Sequence, residues 1–203
     1  MTAVMERIDW DRWRARYDAM SFSEHQEFNR QVSLQYPEQR CFNADAVRDF
    51  LHKTKPARVL ELGGWDGGLA TEVLPGFPSI EKWVNYDITP LAARVCDDPR
   101  YELVIVADWP WKLKASGDVL IASHVLEHML ASEVEHLLSE WDVRSVFMDI
   151  PIGSGTPNWH GYEGTHILEV GSTELLFRLG RLGYEVTYCD PAGGLVAHLE
   201  KTS

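Results

Sequence analysis

The residues best equipped for chemistry gather at the ends of short apolar runs. Arg58-Val59-Leu60-Glu61-Leu62 leads straight into Gly63-Gly64-Trp65-Asp66-Gly67-Gly68 and then a helical stretch. Glycines in such a turn supply positive φ and let a ligand approach the backbone closely. Neither register of the turn reads G-x-G-x-x-G, the dinucleotide fingerprint, which argues against a nicotinamide oxidoreductase. Glu61 points the same way, because a carboxylate two residues before the turn is a poor neighbour for a pyrophosphate. It suits a ligand with a cationic amino group instead. Asp87 ends a second run, 26 residues after Glu61. An acid there can accept hydrogen bonds from both hydroxyls of a ribose; the plainer reading is a turn aspartate ahead of a helix starting at Thr89-Pro90.

Histidines supply the second kind of chemistry. His124-Val125-Leu126-Glu127-His128 follows the apolar run Asp118–Ala122. On a helix, His124 and His128 would lie one turn apart and could share a zinc, with Glu127 as the base of a hydrolase. A third ligand on a later helix would be needed, and Glu133 and Glu135 lie too close in sequence to supply it comfortably. The plainer reading has His128 packing structurally with Glu127 at its surface, so no metal is expected. His124, just past a strand end, is either a pocket residue or a satisfied structural histidine. His160 and His166 fall in Asn158–His166, a stretch rich in aromatic and hydrogen-bonding groups between glycines. Such a loop can cover a substrate through Trp159, His160, Tyr162 and His166; alternatively Trp159 and Tyr162 pack on the sheet edge. Asp149, just before Pro151, either lines the same pocket or caps a turn.

The elements that must position these groups divide at Pro56. Before it the chain reads helical, with Asp9 and the pair Ser23 and Gln26 as caps, and Asn43 capping a third helix over 44–53. After it, apolar strands at 58–62, 82–87, 102–107, 118–122, 145–150, 184–188 and 194–199 alternate with helices. The helices start near Gly67, Pro90, Ser132 (boxed with Glu135) and Ser172, the last ending before Gly183. This alternation predicts an α/β fold, doubly wound around a mostly parallel seven-stranded sheet. Ligands of such sheets bind beyond the carboxyl ends of the strands, where the strand order reverses.

Composition bounds the function. The 203 residues suffice for one domain with a sizeable core, and 45% are hydrophobic. Residues 1–55 carry nine acids and nine bases, so the whole net charge of −12 lies in 56–203. That balance argues against a broad grip on nucleic acid or an anionic membrane. No apolar run approaches the roughly 20 residues of a membrane helix, and the first residues lack a signal peptide's apolar stretch. The three cysteines, Cys41, Cys96 and Cys189, are scattered, without C-x-x-C spacing. A soluble cytoplasmic protein is expected.

The glycine turn resembles the first motif, E/D-x-G-x-G-x-G, of class I methyltransferases dependent on S-adenosylmethionine. Glu61, Gly63 and Gly67 match it, and Trp65 replaces the middle glycine. Asp118–Met129 is similar to the family's D-V-V-x-x-x-x-V-L-E-H segment. Gly164-Thr165-His166 and Ser172–Val186 resemble the late helix and sixth strand of small-molecule members, so the likeness runs from Val59 to Leu199. It implies a Rossmann-like fold with S-adenosylmethionine as cofactor, held by Glu61, Gly63, Gly64, Gly67, Asp87, Ile88, Asp108, Trp109 and Ser123. Asp108 would accept from the adenine amino group, with the next backbone N–H reaching the ring. Residues 1–55 would be a helical cap on the domain formed by 56–203, with Tyr17, Tyr36 and Arg40 free to face cofactor or substrate. The alternative for the cap is that Trp10, Trp13, Tyr17 and Phe28 form the apolar stripe of packing helices.

The implied reaction is methyl transfer to oxygen or nitrogen of a small-molecule or saccharide-like acceptor. His124, His160 and His166 are the candidate general bases, needed when the attacking atom carries a proton. A non-catalytic binding protein on the same fold is the alternative, kept open by Trp65.

Overall fold

The computed structural model describes residues 44–65, 67–87, 96–106, 114–150, 168, 170–190 and 195–202. Helix α1 (Ala44–Thr54) leads through Pro56 into β1 (Arg58–Leu62), α2 (Gly68–Val73), β2 (Lys82–Asp87) and β3 (Tyr101–Ile105). Then come β4 (Ser116–Ser123), α3 (Ala131–Glu140), β5 (Asp142–Ile150), α4 (Ser172–Arg181), β6 (Tyr184–Asp190) and β7 (Leu195–Lys201). The strands form one sheet in the order β3-β2-β1-β4-β5-β7-β6. All pairs from β3 to β5 are parallel, and β7 runs antiparallel to both β5 and β6.

Strand residues alternate between two covered faces. Leu60, Leu62, Leu120, Ala122, Val146 and Met148 face a core completed by Val134, Leu137 and Leu138 of α3 and Leu175 and Leu179 of α4. Val59, Trp83, Val119, Ile121 and Phe147 face the other core, with Val47, Phe50 and Leu51 of α1 and Leu69 and Val73 of α2. Burial on both sides is why the central strands read as continuous apolar runs. The apolar residues of α1 recur at 47, 50 and 51, one helical stripe, which lays the helix on the sheet; Phe50 meets Phe147 with ring centroids 5.8 Å apart. Helix α1, the last part of the expected 1–55 segment, packs on this face of the sheet, and residues 1–43 lie outside the described residues.

Several element bounds change. The strand read at 118–122 spans Ser116–Ser123 and that at 145–150 spans Asp142–Ile150, while the helix expected near Pro90 lies outside the described residues. The strand at 102–107 is observed at Tyr101–Ile105, with Tyr101 paired to Trp83. Helix α3 starts at Ala131 rather than Ser132, and it is Glu133, not Glu135, whose Oε2 reaches back to accept the Leu130 N–H at 3.1 Å. The extended Leu130 immediately before it sets that frame, one residue ahead of the Ser-x-x-Glu spacing. At the opposite end of the sheet, Asp118 accepts the N–H groups of Ala57 and Arg58 at 2.7 and 2.8 Å. One carboxylate thus registers the start of β1 against β4.

The chain builds outward from β1 to β2 and β3, then returns to β4 on β1's other side. This reversal leaves the carboxyl ends of β1 and β4 side by side, at the crevice that such a reversal forms.

Candidate functional site

Two turns meet at that crevice. The first follows β1, and strand β2 fastens it amide by amide. Gly63 N–H donates to the Tyr86 carbonyl at 2.9 Å, Gly64 N–H to Asn85 Oδ1 at 2.9 Å, and Trp65 N–H to Asp87 Oδ2 at 2.7 Å. Gly63 and Gly67 adopt φ of 67° and 76°, and Trp65 adopts 47°. A left-handed conformation is free for glycine but strained for tryptophan. The short bond to the buried Asp87 carboxylate holds it there.

Glu61 lies beneath this turn, 3% exposed, accepting the Trp83 indole N–H at 2.8 Å. A Cβ on Gly64 would come within 2.5 and 2.6 Å of its two oxygens, so only glycine fits above it. Three consecutive amides are therefore turned into the protein, and a carboxyl group lies directly underneath. A phosphate cradle needs the opposite arrangement, free N–H donors and no adjacent carboxylate. The turn suits a ligand that brings hydrogen-bond donors or positive charge.

The second turn follows β4. Val125 packs against the first turn so closely that a Cβ on Gly63 would lie 2.8 Å from its Cγ2. His124 adopts φ of 53°, and its N–H bonds the Asp149 carbonyl at 2.8 Å, continuing the β4–β5 register in which Ser123 faces Asp149. The imidazole Nε2 is 3.3 Å from Asp149 Oδ2, which also accepts from Ser123 Oγ at 3.4 Å. Its Nδ1 is 3.8 Å from Glu127 Oε1, too long for a hydrogen bond but close for two charges. His124 is one-third exposed, whereas Glu127 is 2% exposed and its Oε2 has no hydrogen-bond partner among the described residues.

Electrostatics follow from this geometry. Burial pushes the Glu127 pKa up to about 7, against the opposing pull of His124. Burial disfavours the His124 cation, but the bond to Asp149 and the nearby Glu127 carboxylate outweigh it, so its pKa is raised. The Asp149 bond holds a proton on Nε2 and leaves Nδ1 as the basic nitrogen of neutral His124. The arrangement can accept a proton at Nδ1 and stabilise the resulting imidazolium between two carboxyl groups.

No protein-family model matches the chain, and no curated protein does. Solved structures do. The 1,6-didemethyltoxoflavin-N1-methyltransferase of Burkholderia thailandensis aligns with a TM-score of 0.60 at 17% identity, covering 91% of this chain and 92% of that one. The magnesium protoporphyrin IX methyltransferase of Synechocystis gives 0.58 at 16% identity over 95% and 94%. A mitomycin 7-O-methyltransferase gives 0.61 at 19% identity, over 90% of this chain and 61% of that one.

The chain has the class I methyltransferase fold.

In this methyltransferase fold Glu61, Gly63, Gly64, Gly67 and Asp87 come together in or under the first turn, and Ser123 and His124 lie on the adjoining one. Ile88, Asp108, Trp109, Trp159, His160, Tyr162 and His166 lie outside the described residues. The helix required for zinc at His124 and His128 is not formed. His124 is left-handed, Val125 has φ −132°, and only Leu126–His128 make a single 3-10 turn. Glu127 is buried between the two histidines rather than at a surface, 4.0 Å from His128 Nε2. Among the described residues no group of three ligating side chains has the geometry for a metal.

Sequence reasoning missed Trp83 and Asn85 and left Asp149 undecided. The signal for the first two was the period-two series Trp83, Asn85, Asp87, three hydrogen-bonding side chains on one face of a strand beside a glycine turn.

Proposed function

We propose that this chain transfers a methyl group from S-adenosylmethionine to an oxygen or nitrogen atom of a small-molecule or saccharide-like acceptor. One observation carries the reading: at the strand-order reversal, a glycine turn whose donors are turned inward adjoins a histidine held between two carboxyl groups. The first turn fits the cofactor's cationic amino acid end, through the field of Glu61, and Asp87 at the tip of β2 fits its ribose. Gly63, Gly64 and Gly67 leave room for close approach. Similarity in fold to a protoporphyrin methyltransferase with bound S-adenosylhomocysteine and to a toxoflavin methyltransferase with the same product adds support.

The cofactor would supply an already activated methyl group. What remains for the protein is alignment, exclusion of water and, for a hydroxyl acceptor, removal of a proton. His124 is the group for the last task, with Nδ1 receiving the proton and Asp149 orienting the ring. His160 and His166 stay as candidate bases, with Trp159 and Tyr162 as candidate substrate contacts. Ile88, Asp108 and Trp109 complete the proposed cofactor set, and residues 1–55 the proposed cap.

Titration calorimetry with S-adenosylmethionine and S-adenosylhomocysteine tests the reading. Micromolar binding by the native chain, lost in Asp87→Ala and weakened in Glu61→Ala, is expected. No binding by folded protein free of co-purified cofactor would sink it. A non-catalytic binding protein is the second reading, favoured by the Trp65 amide that occupies one oxygen of Asp87. It predicts that no hydroxyl or amine acceptor is methylated even when the cofactor binds.

A further inference from the structure

Strand β2 does more than flank the glycine turn. Asn85 is fully buried and uses both ends of its amide: Oδ1 accepts from Gly64 N–H at 2.9 Å, and Nδ2 donates to Tyr101 Oη at 2.9 Å. Tyr101 is the first residue of the neighbouring β3, so the bond spans two strands before it reaches the turn. On either side, Trp83 holds the Glu61 carboxylate and Asp87 holds the Trp65 amide. The three side chains occupy alternate positions of one strand: Trp83 holds the carboxyl group beneath the loop, and Asn85 and Asp87 hold two successive amides of it.

Gly64 is the point with least freedom. Glu61 fills the space beneath it, and its half-buried N–H is held by Asn85 Oδ1. Without that acceptor the amide must pair elsewhere, so the turn follows wherever an acceptor is put. A leucine at 85 fills similar volume but offers no acceptor, and Gly64 would then have to rotate its amide toward the crevice. That rotation would present a donor where the proposed ligand presents donors of its own.

From this we infer that Asn85 is a positioning residue for the cofactor turn, acting through the Gly64 amide and itself aimed by Tyr101. The inference rests on the proposed cofactor reading for its effect on binding, but not for its effect on the loop.

Hydrogen exchange of the peptide spanning 62–68 and calorimetry with S-adenosylhomocysteine, on native protein and on Asn85→Leu, Asn85→Asp and Tyr101→Phe, separate the two. In Asn85→Leu, exchange at Gly64 should speed up and affinity should fall about tenfold, the size expected for losing one hydrogen bond. Aspartate keeps an acceptor facing Gly64 and should restore both readouts to within about threefold of native. Tyr101→Phe, with Asn85 intact but no longer aimed, should show the same changes at smaller amplitude, and it serves if Asn85→Leu does not fold. Unchanged exchange in Asn85→Leu and Tyr101→Phe overturns the inference, as does faster exchange with undiminished affinity. Faster exchange in a protein whose native form binds no S-adenosylhomocysteine leaves the positioning role standing and removes the cofactor reading alone.

Discussion

The turns after β1 and β4 are neighbours on one sheet edge, yet they are built from different materials. The first is made of backbone, its amides held by Tyr86, Asn85 and Asp87. The second is made of side chains that titrate, with His124 between Asp149 and Glu127. Each contains a residue other than glycine in a left-handed conformation, Trp65 in one and His124 in the other. In the first the strain is secured by a carboxylate on an amide, so shape is what the turn preserves. In the second it aims an imidazole, so a protonation state is what the turn preserves. Binding should therefore depend on the first turn and be indifferent to pH near neutrality, while proton transfer should depend on the second and follow pH.

The most direct way to break this contrast is steric. Gly64→Ala must displace Glu61 or the turn, and Gly63→Ala must displace Val125 while holding a φ of 67°. Calorimetry should show S-adenosylhomocysteine affinity reduced by roughly a hundredfold in either, in keeping with about 1–3 kcal/mol for each strained contact or conformation. Native affinity in both variants would mean that the ligand does not use this turn.

Next comes His124→Asn. Turnover of a hydroxyl acceptor should drop by about 10²–10⁴, the range for losing a general base, with affinity for S-adenosylhomocysteine within about threefold of native. Loss of binding with retained turnover would reverse the roles assigned to the two turns.

A subtler separation comes from pH. The raised pKa of His124 means that its basic form, and with it the rate, increases as pH rises through a value above 6.5. Glu127→Gln removes one of the carboxyl groups that favour the imidazolium, so the rising limb of the rate profile should move to lower pH. Glu127 titrates near 7 in the fold against an ordinary 4.5, so the stability linked to its proton is complete below 4.5 and is lost as pH rises through 7. The melting temperature of Glu127→Gln relative to native should accordingly grow from pH 5 to pH 8. A constant difference would show that Glu127 does not carry a proton there.

The smallest effect lies away from both turns. His198 packs among Phe50, Phe147 and Tyr188, and burial, reinforced by Lys53, lowers its pKa to about 4. Its neutral form is the folded form, so its contribution is full above 6.5 and is lost as pH falls toward 4. His198→Leu should lessen the fall in melting temperature between pH 6.5 and pH 4.5 without altering the pH profile of turnover.

Much of the fold was legible because the chain alternates short apolar runs with helical stripes, and β1 and β2 were bounded to the residue by charge and glycine. The helix start at Ala131 was misread because a side-chain pattern, Ser132 with Glu135, looked like a cap, whereas the extended backbone at Leu130 chose the frame. Glu127 and His128 fit a zinc motif only if the segment is helical, and the strand immediately before it leads into a left-handed turn instead.

By itself the sequence determined the residue types at each strand end, because a parallel sheet demands apolar runs and a turn at close approach demands glycine. It could not determine what those groups touch. That Glu61 supports the turn from below, that Asn85 holds Gly64, and that Asp149 reaches His124 all depend on strands paired in register across 21 to 26 residues of chain. Tertiary structure decided these contacts because hydrogen bonds act over about 3 Å, and only the packed sheet brings such distant residues that close.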